Sequence, residues 1–234
     1  MTTDLLSYTL EGTTAIVRMD DGKANALSEG MIDALTGALE RAEREASAMI
    51  LMGREGRFSG GFDLKVMMSG PEQAKALLMR GSALYMKLYG ASLPLVVACT
   101  GHALAGGSLL VLTGDVRIGT AGPFRIGLNE VAIGLPVPVL AMELARDRLV
   151  PTELPRATLM AQIYDPEGAV KAGYLDEVVP AERLLERAKE EAARLTGLAR
   201  PAFKATKTRL RGRTIAHILG TLEDDMRTLL APPA

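Results

Sequence analysis

The sequence predicts an α/β fold that gives way to helices alone toward its C-terminal end. Three observations predict it. Short apolar runs of strand length alternate with segments whose apolar residues recur at helical spacing. After about residue 180 only helix-period segments follow. Two glycine-rich turns, at 53–61 and 101–107, each come directly after a buried apolar run. Residues 1–180 are therefore read as the core and 181–234 as a C-terminal helical region.

Residues 5–10 and 14–19 read as strands joined at Glu11-Gly12-Thr13, a hairpin. Asp20-Asp21-Gly22-Lys23 is a loop. Ser28 is suited to cap a helix running to about Arg44, with Met31, Ile32, Leu35, Ala38 and Leu39 on one face. Residues 48–52 are apolar throughout, as in a strand buried on both faces. The segment 53–61, GREGRFSGG, reads as a loop, and an apolar–polar mix follows to Met68. Pro71 suits the first turn of an amphipathic helix that extends to about Tyr89.

A second buried strand is expected over 93–99, a helix opening at 108–112, and a strand over 115–119. Residues 119–127 are read as loop. Pro136 and Pro138 delay the next helix, which runs to about Arg146. Residues 151–161 and 166–172 are short helices, and 174–179 is a strand. Over 181–195, Leu184, Leu185, Ala188, Ala192 and Leu195 line one helical face. The last helical region spans about 202–230, with Gly212 a weak point, and 231–234 is read as a frayed tail.

Composition narrows the function. Of 234 residues 48% are hydrophobic, enough for a substantial core. The net charge of −1, the 4% aromatic content and the absence of Trp argue against a nucleic-acid partner. Cys99 is the one cysteine, so no internal disulfide can form; its apolar setting makes it a buried thiol. Two histidines and one cysteine argue against a zinc site. No signal peptide and no membrane-length apolar run is seen, so a soluble, cytoplasmic protein is expected.

The chemistry sits at the glycine turns. Gly106-Gly107 stands between a strand and a helix start, where main-chain N–H groups lack intrahelical partners and carry partial positive charge. A glycine turn of this kind also serves purely steric ends. The turn FSGGFDL at 58–64 follows a buried strand in the same way. One N–H from each turn, converging, would make an oxyanion hole. An acyl thioester needs one, because the C–H beside its carbonyl becomes acidic only when the enolate oxygen is held.

Three segments carry a resemblance: FSGGFDL, LPLVVACTGHALAGGSLLVLTGDVRI at 93–118, and IGLNEVAIG at 126–134. Through them, in order and at family spacing, the chain resembles the crotonase superfamily of enoyl-CoA hydratases and isomerases. Within it the chain looks most like the mitochondrial-type Δ3,Δ2-enoyl-CoA isomerases. The resemblance runs from about Ser7 to the final helix. It implies a spiral of stacked ββα units with a helical C-terminal trimerisation region, giving a homotrimer or hexamer. It implies an acyl-CoA substrate, CoA being part of the substrate and not a separate cofactor. The oxyanion N–H groups would come from Phe62 and Gly106, and the catalytic carboxylate would be Glu130. Substrate or CoA contacts are implied at Lys23, Ala24, Gly61, Asp63, Leu64, Leu109 and Asn129. Asp63 also fits a loop-shaping role, and Asn129 could equally shape its turn. Lys204 and Lys207 are further candidates for CoA phosphates. His102 is read as packing the turn.

One departure decides the expected reaction. Hydratases of this family carry a second glutamate three residues after the oxyanion glycine, where this chain has Leu109. Leucine cannot orient or deprotonate a water. Moving a double bond needs only one base, which takes a proton from one carbon and returns it to another. The expectation is a Δ3,Δ2-enoyl-CoA isomerase with Glu130 as the proton shuttle. The alternatives are hydration with Glu143 or Asp147 replacing the lost acid, and a silent CoA-binding protein.

Overall fold

A computed structural model describes residues 5–229. Among these described residues nine strands form two sheets. The larger has the order β1-β2-β3-β5-β7-β9, from β1 (Leu6–Glu11), β2 (Thr14–Met19), β3 (Ala48–Met52), β5 (Leu95–Cys99), β7 (Val116–Thr120) and β9 (Glu177–Val179). The first pair is an antiparallel hairpin, and every later pairing is parallel. The smaller sheet is wholly parallel: β4 (Gly56–Ser59), β6 (Gly101–Leu104) and β8 (Ile126–Gly127).

The pairs β3–β4, β5–β6 and β7–β8 each give one strand to each sheet before the chain enters a helix, whereas β1 and β2 both join the larger sheet. β3 and β4 lead through the short α2 (Leu64–Met67) to α3 (Pro71–Tyr89). β5 and β6 lead to α4 (Gly106–Leu112). This is a spiral of ββα units. The expectation of loops at 53–61 and 119–127 is corrected here, because both contain strands of the smaller sheet, and β6 was not anticipated. These strands are two to four residues long and rich in glycine, too short to show a strand period.

The apolar strands are buried on both faces, as their composition requires. On the inner face Met49, Leu51, Leu95 and Val97 join the main core. On the outer face Ile50, Val96, Ala98 and Ile118 meet Leu184, Ala188, Ala192 and Leu195 of α8 (Leu184–Thr196). Helix α1 (Glu29–Glu45) begins where expected, with Ser28 Oγ accepting the Met31 N–H at 3.2 Å. The helices α5 (Val139–Arg148), α6 (Leu154–Thr158) and α7 (Pro166–Ala172) follow β8. The last helix, α9 (Arg200–Leu229), is continuous through Gly212, so no break occurs there. The expected tail at 231–234 lies outside the described residues.

Candidate active site

The first turn is fixed through its peptide planes. The Leu27 N–H donates to Gly61 O at 2.8 Å, and the Asp63 N–H donates to Leu27 O at 3.3 Å. In a trans peptide the C=O and N–H point in opposite directions. The bond on Gly61 O therefore turns the Phe62 N–H away from Leu27. Gly61 has φ +90°, a backbone that disfavours a side chain. A Cβ added there would lie 3.0 Å from Gly106 N. The two glycine turns are thus in close contact, and the absence of a side chain at Gly61 is what lets them approach.

The second turn uses the same logic. Ala105 O accepts the N–H groups of Ser108 at 2.9 Å and Leu109 at 3.2 Å, and the Ser108 hydroxyl at 2.8 Å. That carbonyl points into α4, so the Gly106 N–H on the far side of the same peptide points out of it. Ala105 itself sits at φ +48°, ψ −122°. A non-glycine residue there costs about 1–3 kcal/mol and is typical of sites that must aim a group. Among the described residues neither the Phe62 N–H nor the Gly106 N–H has a protein acceptor.

Glu130 follows β8 and leads a 3₁₀ turn, Val131–Ile133. Its carbonyl accepts from the Ile133 N–H at 3.0 Å and the Leu135 N–H at 2.9 Å, which locks its backbone. The residue is 9% exposed, and Oε2 is buried with no hydrogen-bond partner among the described residues. Burial pushes the carboxyl above its ordinary value, against the pull of the Glu130 and Asn129 main-chain N–H groups. Its charge in turn helps to raise the Tyr85 phenol, already pushed up by burial, and the Tyr85 hydroxyl donates to Gly106 O at 2.8 Å. Leu109 is 3% exposed in the core.

A cleft of about 470 Å³ opens beside both turns. Ser59 and Gly60 line it from one turn, and His102 and Leu104 from the other; Lys23, Ala24, Arg54, Arg57 and Arg125 complete it. Glu130, Asp63 and Leu64 are not among its lining residues. Asp63 caps α2 by accepting the Lys65 N–H at 2.9 Å, and Leu64 is 68% exposed. His102 packs its ring edge-on against Phe124 and accepts the Arg125 N–H on Nδ1 at 3.0 Å, as a turn-packing histidine does.

The sequence reading missed four residues here. Arg54, Arg57 and Arg125 bring positive charge to the cleft; two of them stand inside GREGRFSGG, a signal in plain view. The fourth is Asn25, fully buried at φ +50°. Its Nδ2 donates to Met19 O, Arg57 O and Phe58 O at 3.1, 3.2 and 3.1 Å, which pins the Lys23–Ala24 loop to β4. One expectation is overturned. Lys207 is 5% exposed, and its Nζ bonds Asp115 Oδ2 at 2.6 Å and the carbonyls of Ala91 and Leu93, so it does not face a ligand.

The two-sheet ββα spiral is the crotonase architecture. The comparisons agree. A model of the enoyl-CoA hydratase/isomerase family matches residues 9–227, and the chain belongs to that family of acyl-CoA enzymes. It is similar to human mitochondrial enoyl-CoA delta isomerase 1, 28% identical over 222 residues, covering 93% of this chain and 74% of that protein. A crystal structure of an enoyl-CoA hydratase/isomerase family protein from Pseudomonas syringae is 42% identical with TM-score 0.94, covering 97% of this chain and 98% of that one. The structure of an enoyl-CoA hydratase, EchA3, from Mycobacterium ulcerans is 39% identical with TM-score 0.90, covering 94% and 98%.

Proposed function

We propose that the protein is a Δ3,Δ2-enoyl-CoA isomerase. One observation carries the reading. Glu130 is a buried carboxylate with an unpartnered oxygen, on the segment after β8, the strand that pairs with the β6 strand leading into the Gly106 turn, and Leu109 occupies the sequence place of the second acid. Glu130 takes the C2 proton of a 3-enoyl-CoA. The main-chain N–H groups of Phe62 and Gly106 hold the dienolate oxygen. Protonated Glu130 then delivers to C4 and leaves the conjugated 2-enoyl-CoA. The raised carboxyl is suited to accept a proton from carbon, and the apolar Leu109 keeps water from the intermediate. The cationic cleft takes the phosphates of CoA through Lys23, Arg54, Arg57 and Arg125.

A hydratase named among the relatives keeps hydration in view. The substitute acids proposed for it do not support it. Glu143 and Asp147 line a different cleft, with Arg213 and His217, and Asp147 accepts the Tyr89 hydroxyl at 3.0 Å. Incubation with 3-hexenoyl-CoA is expected to give 2-hexenoyl-CoA, with no hydration of crotonyl-CoA on the same timescale. Glu130→Gln is expected to slow isomerisation by about 10²–10⁴-fold. Rapid loss of the crotonyl-CoA absorbance, or wild-type isomerisation by the variant, overturns the reading.

A further inference from the structure

Helix α3 has no residue in the proposed chemistry, yet it touches both glycine turns. Gly81 and Tyr85 are four residues apart and so share one helical face. The Phe62 ring fills the notch at Gly81: a Cβ added there would lie 2.2 Å from Phe62 Cε1 and 2.5 Å from Cζ. The Tyr85 ring meets the Phe62 ring edge-on, with centroids 6.0 Å apart and planes at 85°. The Tyr85 hydroxyl reaches the other turn and donates to Gly106 O at 2.8 Å. Tyr85 is fully buried, and no other hydrogen bond of its hydroxyl is present among the described residues.

The peptide planes show what these contacts fix. The Gly106 N–H belongs to the Ala105–Gly106 peptide, whose carbonyl is held by Ser108 and Leu109. Gly106 O belongs to the next peptide, which Tyr85 holds. Both planes flanking the Gly106 Cα are thus anchored, and the amide between them has one direction. At the other turn, Leu27 anchors the Gly61–Phe62 peptide, and the Gly81 notch anchors the Phe62 side chain. Gly106 and Gly107 open α4, and the Tyr85 bond adds an anchor to that first turn from outside the helix.

We infer that Tyr85, with the notch at Gly81, is a positioning residue that sets the spacing and aim of the Phe62 and Gly106 amides. It acts through the two turns and touches no reacting atom. The inference rests on the proposed role of those amides toward a thioester oxygen. It does not depend on which reaction follows.

The test is Tyr85→Phe, which keeps the ring and its edge contact and removes the bond to Gly106 O. A conjugated 2-enoyl-CoA bound with its carbonyl between two amides shows a red-shifted thioester absorbance. The variant is expected to lose most of that shift while binding the same ligand within about threefold of wild type. Its kcat for 3-hexenoyl-CoA is expected to fall about 10–100-fold, the scale of a small misplacement at a reacting centre, with KM and the pH profile unchanged. Gly81→Ala, which displaces the Phe62 ring from the other side, is expected to give the same pattern and carries the test should Tyr85→Phe not fold. A wild-type red shift and kcat in a folded variant overturns the inference, as does a loss confined to KM. If wild type binds the ligand with a red shift that Tyr85→Phe abolishes, yet isomerises nothing, the isomerase reading fails and the positioning role stands.

Discussion

At Glu130 the fold works against ionisation, and that sets a testable conflict between stability and activity. Burial holds the carboxyl above its ordinary value in the folded chain. The folded state therefore keeps this proton to higher pH than the unfolded state. The resulting stability is full below the unfolded value of about 4.3 and is lost as pH rises through the raised folded value. Glutamine has the same shape and no charge to bury. Glu130→Gln is thus expected to melt above wild type at pH 8, with the gap closing toward pH 4, while its activity is lost. A gap independent of pH, or a variant that melts lower at pH 8, shows that the carboxylate is solvated or paired. Glu130, Phe62 and Gly106 were singled out through the family resemblance of the segments around them; the glycine turns alone pointed to exposed amides, and Glu130 alone would read as an ordinary carboxylate. Tyr85 and Gly81 were not, because on an amphipathic helix a tyrosine and a small residue read as ordinary packing. Only the fold shows that they face the two turns.

Among the elements, the helices were the most legible and the smaller sheet the least. Helices α1 and α3 carry their period over 17 and 19 residues and have a serine cap or an N-terminal proline. Strands β4, β6 and β8 offer four residues or fewer, and their pairing comes from close backbone approach, which leaves no mark in hydropathy. Helix α9 gave a different lesson. Its Lys207 was a candidate for CoA phosphate, yet Lys207 and its neighbour Arg211 are buried on Asp115, at 2.6 and 3.0 Å, and the Leu95 N–H donates to the same carboxylate at 2.8 Å. This cluster ties α9 to the start of β5. Burial holds the Lys207 ammonium down at about 8, against the pull of Asp115. Asp115→Asn leaves two buried cations without their anion, a change that typically costs about 3–5 kcal/mol. Denaturant unfolding at pH 6 is expected to show a loss of that order. The loss should narrow as pH rises, because Lys207 sheds its proton in the folded variant well before the unfolded value of about 10.4. A loss under about 1 kcal/mol at pH 6 makes the cluster a surface-like pairing with no hold on α9.

For the whole molecule, the described surface leaves apolar side chains in water that a lone chain has no evident use for. On α9, whose inner face packs Ile218, Leu222 and Met226 into the core, Leu210 is 72% and Leu219 48% exposed. After Glu130, Val131, Ile133 and Leu135 are 43%, 55% and 44% exposed, and Leu159 and Met160 are 69% and 70%. Single exposed leucines are ordinary on a folded protein, but Leu210 and Leu219, nine residues and so half a turn apart, flank the buried stripe of α9 on both sides, and Val131, Ile133 and Leu135 are exposed together on one loop. We propose that copies of this chain cover them, in the trimer or hexamer that the sequence resemblance implies. In a closed three-fold ring each copy offers one patch and receives its neighbour's at another, so the contact repeats until the ring closes. Light scattering at micromolar concentration is expected to return three or six times the chain mass. Leu210→Glu with Leu219→Glu places one charge on each flank of α9 and leaves its buried residues, Ile218, Leu222 and Met226, unchanged. That double variant is expected to shift the mass to a single chain, with the far-ultraviolet circular dichroism of the folded protein retained. A wild-type mass of one chain, or a double variant that assembles as wild type does, removes α9 from the interface and leaves its leucines as ordinary surface.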